Sequence, residues 1–268
     1  LLSFGETNES LDLQYQSHEN MKKVCLIVFS VVLFFGCEKQ DRLVFENYTI
    51  ENGDCSNCPK ISIQYPLALG QDRLSNSINI ALREEVIEKL SYDDDLSPKN
   101  VEEAMQSFSN SYLEIIRDFP DTEAVWEATI EGSITNLDEN YLTIQLKTYI
   151  FSGGAHGYQA TQFLNFDLKR QIEIDAEEML SDLDGFIEFA EKEFRIQEYI
   201  PLDQNINSTG FMFPEEQFVL PENMGYTLDG FLMWYNQYEI ASYADGPISI
   251  LLSEEKISPY RKKNKTAN

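Results

Sequence analysis

Histidine, cysteine and basic residues are scarce in this 268-residue chain, and each scarcity removes a class of function. Of two histidines, His18 lies in a polar N-terminal stretch, so His156 is the sole imidazole of the part expected to fold. Zinc wants about four Cys or His ligands, and Cys55, Cys58 and His156 are too few; no metal or other cofactor is expected. A Ser-His-Asp arrangement using Ser152 would need the sharp strand-to-helix elbow that presents a nucleophile, and the sequence around it reads as strand, turn, strand. Lys and Arg number 20 against 46 Asp and Glu, a formal charge of −26. Such a surface repels nucleic acid and bare anionic membrane, and draws a cationic protein, peptide or metal ion. Long apolar runs are missing too. The longest, residues 24–35, falls short of the roughly 20 residues that span a bilayer.

That short run has informative flanks. Met21-Lys22-Lys23 precedes it and Gly36-Cys37 closes it, the layout of a signal peptide over residues 21–36. The junction resembles a bacterial lipobox, with Phe34 and Phe35 where the usual pattern has Leu and a small residue. Cys37 is the expected lipidated first residue, which places the protein in a bacterial cell envelope, facing the periplasm or the exterior. The lipid would be its only hold on a membrane. Residues 1–20 begin with leucine and are patternless, and are expected to be an over-long reading upstream of Met21.

Residues 37–60 read as a charged tether, a first strand at 43–50 and the pair Cys55 and Cys58. Pro59 and an alternating strand follow the pair, where a redox Cys-x-x-Cys normally opens a helix. A structural disulfide is therefore expected ahead of free thiols or redox catalysis. Residues 61–65 alternate as a strand ending at Pro66. Leu74, Ile78, Ala81, Leu82, Val86 and Leu90 then recur at helical spacing. Ser97-Pro98 is the expected start of a second helix, striped by Val101, Ala104, Met105, Phe108, Tyr112, Ile115 and Phe119 and stopped by Pro120. A meander follows: Trp126, Ala128, Ile130 and Ile134 alternate, then residues 141–151, 158–168 and the pair Ile172 and Ile174. Leu183, Phe186, Ile187, Ala190 and Phe194 make a third helix. Residues 217–220, 225–228, 231–235 and 247–252 are short strand candidates, and residues 261–268 form a basic tail expected to be disordered. The fold class is α+β, an antiparallel meander with two to three amphipathic helices packed against it.

Two stretches carry the chemistry that can be singled out. Tyr149 leads into Gly153, Gly154, Ala155, His156 and Gly157, and three glycines in five positions imply left-handed backbone or very close approach. Near the end stand Trp234, Tyr235, Tyr238, Glu239, Tyr243 and Gly246. His156 is expected to fix the turn by a hydrogen bond across it, the other readings being ligand contact and pH sensing. The aromatic residues could stack on sugar rings, or fill the core.

Both stretches, with Asn165-Phe166-Asp167 between them, resemble the DUF3298 family, also called the RsiV-like C-terminal domain, over residues 136–260. Residues 61–135 resemble its companion DUF4163. Known relatives include the extracellular part of an anti-sigma factor that senses lysozyme by binding it, and a module attached to a peptidoglycan deacetylase. The resemblance implies an α+β fold and a lipid-anchored sensing or binding module whose partner is a cationic protein such as lysozyme, or cell-wall glycan. The alternative is an envelope hydrolase acting on glycan or peptide. No catalytic residues can be nominated for it, because chance pairs abound among 46 carboxylates.

Overall fold

The computed structural model describes residues 43–52, 57–93 and 97–262. Cys37, Cys55, the apolar run and the chain beyond Lys262 lie outside the described residues. Six strands form one sheet in chain order: β1 (Val44–Glu51), β2 (Lys60–Leu69), β3 (Glu127–Leu137), β4 (Tyr141–Phe151), β5 (Tyr158–Asp167) and β6 (Ile172–Ile174). The sheet departs from a pure antiparallel meander at one junction, since β2 and β3 run parallel. Two helices, α1 (Arg73–Leu90) and α2 (Val101–Asp118), fill the connection between them, and parallel neighbours need just such a crossover. β2 also runs on through Pro66, where it was expected to stop. Its pairing with β3 ends at Gln64, so the N–H that proline lacks is not needed on that side.

Both helices begin at a capping side chain. Asp72 accepts from the backbone N–H of Ser75 at 3.0 Å ahead of α1. At α2 the cap is Asn100 and not Ser97: its carbonyl oxygen accepts from Glu103 N at 2.8 Å, while Glu103 Oε2 accepts from Lys99 N at 2.8 Å. Two free backbone donors are satisfied by this exchange, and Ser97-Pro98 is left as approach chain. The apolar stripes of α1 and α2 meet Ile61, Ile63, Ala128, Ile130, Leu142, Ile144, Leu164 and Phe166 on one face of the sheet.

The other face carries a second layer. Here α3 (Leu183–Gln197), capped by Asp182, leads through an irregular connection to an antiparallel three-stranded sheet, β7 (Asn223–Thr227), β8 (Gly230–Tyr235) and β9 (Ile248–Leu252). A single helical turn, α4 (Glu254–Ile257), follows. Residues 217–220, expected as a strand, are irregular; Pro221 follows them at once, and the hydroxyl of Tyr235 holds Val219 O at 2.7 Å instead. Tyr141, Phe186, Phe194, Tyr226, Phe231, Met233 and Tyr235 centre this second core.

A small polar seam joins β7 to the sheet. Thr143 Oγ1 donates to Asn165 Oδ1 at 2.9 Å, Asn165 Nδ2 donates to Met224 O at 2.9 Å, and Thr135 Oγ1 donates to Tyr226 O at 2.9 Å. Gly225 makes the approach possible, because a Cβ there would lie 2.7 Å from Thr143 Cγ2. The tail also differs from expectation in its first residues. Arg261 pairs with Asp138 and Glu254 and lies over the Tyr226 ring at 4.5 Å, while Lys262 N donates to Met179 O.

Candidate functional site

The glycine loop, residues 152–157, joins β4 to β5, and its glycines serve two different needs. Gly153 and Gly154 hold φ of 98° and 87°, the left-handed region that a Cβ disfavours. Gly157 has an ordinary φ, yet a Cβ there would sit 2.4 Å from Cε2 of Tyr149. The Tyr149 ring thus packs flat against the exit of the loop. Ala155 and His156 are left at the exposed crest.

His156 makes its main contact outside the turn. Its ring stacks on Tyr243 with centroids 3.8 Å apart and planes 18° from parallel. Both side chains reach the same carbonyl: Tyr243 Oη donates to Gly157 O at 3.1 Å, and His156 Nδ1 lies 3.2 Å from it. A carbonyl can only accept, so this contact puts a proton on Nδ1. The expected bond across the turn is therefore replaced by one to the next residue and by stacking on the distant aromatic motif. Tyr238 continues the series, its centroid 5.6 Å from that of Tyr243. It is 58% exposed and holds φ of 70°. His156, Tyr243 and Tyr238 form a short ladder of rings at the surface.

The remaining motif residues support this ladder. Ser242 and Asp245 close a capping box around the turn that carries Tyr243, and Gly246 ends it at φ 73°. Tyr235 is fully buried, and burial drives its phenol far above the ordinary range. Glu239 accepts from Asn236 N at 2.8 Å, and its carboxyl is raised first by burial. Trp234 Nε1 donates to Asn236 Oδ1 at 3.1 Å. Cys58 is disulfide-bonded.

A groove of about 450 Å³ is lined by Tyr158, the residue after the glycine loop, by Asn236, and by Glu88, Glu173, Asp175 and Glu222 with Lys89 among its charged residues. It follows one side of β5. β6 pairs only with Asn165, Phe166 and Asp167, so among the described residues β5 from Tyr158 to Leu164 has no strand neighbour there. At Thr161 the amide of Asn236 stands in for one: Oδ1 accepts from Thr161 N at 2.7 Å and Nδ2 donates to Thr161 O at 3.0 Å.

On the helix side of the groove the carboxyl of Glu85 is raised by burial, with Lys89 opposing. Glu173 is raised by burial first and then by Glu85, Glu84 and Asp175, although much of its surface is exposed. None of Glu85, Glu173, Glu222 and Asn236 stands out in the sequence. The one available signal was the mismatch between the long run at 158–168 and the short one at 172–174, which implies an unpaired edge. Among the described residues, no group of three or more His, Cys, Asp or Glu side chains is placed to hold a metal ion.

Residues 53–159 match the family model described as Deacetylase PdaC. No curated protein is similar to this chain. The crystal structure of a DUF3298-family member from Bacteroides fragilis is similar at 19% identity and TM-score 0.57, over 83% of this chain and 95% of that one. A DUF3298-family protein from Pseudomonas aeruginosa is similar at 19% identity and TM-score 0.56, with the same coverage of 83% and 95%. At such identity the likeness is one of fold, and the chain shares its fold with these DUF3298-family proteins.

Proposed function

We propose that this chain is a DUF3298-type binding or sensing module of the cell envelope, anchored by lipid at Cys37, whose partner is a cationic protein or peptide or a cell-wall glycan. The observation that carries the reading is the exposed ladder His156, Tyr243 and Tyr238, together with a groove, lined by Tyr158 and Asn236, whose charged lining residues are four acids and one lysine. Exposed rings offer flat apolar area at little entropic cost, suited to sugar faces or to the stems of Lys and Arg. The surrounding negative charge speeds the arrival of a basic partner, while close contacts set how long it stays.

The full chain, purified in detergent, is passed over immobilised lysozyme, an unrelated basic protein and peptidoglycan fragments at several salt concentrations. Retention of one ligand at physiological salt, lost in His156→Ala with Tyr243→Ala, is the expected result. No retention of any ligand at low salt rejects the reading.

A hydrolase is the second reading, favoured by one feature: Glu173 in the groove lining and Glu85, whose charge acts on it, are each raised toward the protonated form, as a general acid requires. Release of reducing ends or new amino termini from peptidoglycan, abolished by Glu173→Gln, would establish it in place of the first.

A further inference from the structure

We propose that the groove accepts an extended, Lys- or Arg-rich peptide segment that adds to the sheet along β5, with Asn236 as the placeholder it displaces. This rests on the binding-module reading and names the partner's form. Alternation along a strand sends the N–H and C=O of every second residue to the same side. Thr161 faces the groove, since Asn236 binds both its groups, and Asn165 faces the same way, where it meets Ile174 of β6. Gln159 and Phe163 share that parity. Among the described residues, neither has a backbone hydrogen-bond partner on that side.

An edge of this kind is normally blunted by lysine, proline or a bulge. The segment 158–164, Tyr-Gln-Ala-Thr-Gln-Phe-Leu, has no charge and no proline, and its register with β4 is unbroken. A primary amide offers one acceptor and one donor, as a peptide group does. Replacing the Asn236 amide with a strand therefore exchanges two hydrogen bonds for two at Thr161, gives up the one from Trp234 Nε1 to Asn236 Oδ1, and gains further ones at Gln159 and Phe163. From 159 to 163 the edge spans about 13 Å, so the paired stretch is about five residues.

Charge selects the side chains that accompany it. An added strand points alternate side chains to the two sides of the sheet. Glu88, Glu173 and Asp175 line the groove on the α1 and β6 side and Glu222 stands beside β7, with Lys89 the one base among the lining residues. Basic side chains on both faces of the segment find carboxylates, and acidic ones meet repulsion. A glycan has no row of amide donors and would use the ring ladder instead.

The probe is the peptide Lys-Lys-Val-Lys-Lys-Val-Lys, which puts lysines on both sides of an added strand, compared with the same peptide N-methylated at alternate amides, each added to the full chain in detergent. The expected result is binding of the first at least about tenfold tighter than the second, with slowed hydrogen exchange at the amides of Gln159 and Phe163 under the first alone. Asn236→Ala should tighten the first peptide several-fold, because nothing remains to displace. Should that variant fold poorly, Glu173→Gln with Glu222→Gln keeps the test, and should weaken binding and flatten its salt dependence. Equal binding of both peptides without amide protection overturns strand addition and leaves a cationic partner held by charge. Failure of both peptides while a basic protein still binds overturns the groove as the site. Failure of every cationic ligand, with peptidoglycan fragments retained, removes this inference and leaves glycan binding standing.

Discussion

The two faces of the six-stranded sheet are closed by different chemistry. The mostly aliphatic stripe of α1 covers much of one face, with Ile78, Leu82, Val86 and Leu90 fully buried, and the rings there, Phe108, Tyr112 and Trp126, gather at α2. Rings dominate the other. Phe194 sits among Phe211, Phe213, Phe218 and Tyr235 at centroid distances of 4.9, 5.2, 5.7 and 5.9 Å, and Phe211, Phe213 and Phe218 come from irregular chain. A regular element satisfies its own backbone, so its side chains need only match in shape. Irregular chain has neither advantage, and here large rings supply the buried area while asparagine amides supply the hydrogen bonds. Asn207 grips both the N–H and the C=O of Phe213, at 2.8 and 3.0 Å. Asn236 does the same at Thr161.

The sharpest way to break this contrast is a matched pair of truncations. Phe194→Ala is expected to cost about 3–5 kcal/mol, since four neighbouring rings cannot all collapse into the gap. Leu82→Ala in the aliphatic core should cost less, toward the lower part of the ~2–5 kcal/mol range. Denaturant unfolding of both checks it, and a larger loss at Leu82 would undo the comparison. The seam comes next. Asn165→Ala strands the Met224 carbonyl and the Thr143 hydroxyl, and should cost about 1–3 kcal/mol; a variant as stable as the parent would mean the faces hold together without that link.

At the glycine loop, Gly154→Val should cost about 1–3 kcal/mol through its left-handed φ alone, because a Cβ there meets nothing within 4 Å. Gly154→Asn should cost less, asparagine tolerating that region better. Equal melting of the two variants would contradict the strain account. The smallest effect is a gain. Burial raises the folded-state pKa of Glu85 above its unfolded value, so its favourable contribution is full below the unfolded pKa and lost as pH climbs through the folded one. Glu85→Gln should therefore melt slightly higher than the parent at pH 7 and no higher at pH 3. Calorimetry at both values decides it, and a lower melting point at pH 7 would show Lys89 to outweigh burial.

Legibility in the sequence followed the same division. The stripes of α1, α2 and α3 and the alternation of β3 to β5 are periodic, and period is set by local geometry, so those elements could be read directly. The cap of α2 was misplaced because Ser97-Pro98 is the stronger signal at close range, while Asn100 wins through a partner three residues on, Glu103. The parallel pairing of β2 and β3 follows from two helices lying between them, a fact about connection and not about either strand. At the candidate site, the loop glycines announced an unusual backbone. That His156 would lie on Tyr243 was not readable, because the two meet only when 86 intervening residues have folded. Asn236 looked like any loop asparagine, since its role depends on an edge that β6 is too short to cover.

Arg261 ties the β3–β4 turn at Asp138 to α4 at Glu254 and to the face of Tyr226, closing a separation of 123 residues with Asp138. During synthesis the aromatic core therefore stays open until Arg261 has been added. The helix-covered face, complete by β5, can consolidate earlier, while the rings of the other face await their latch.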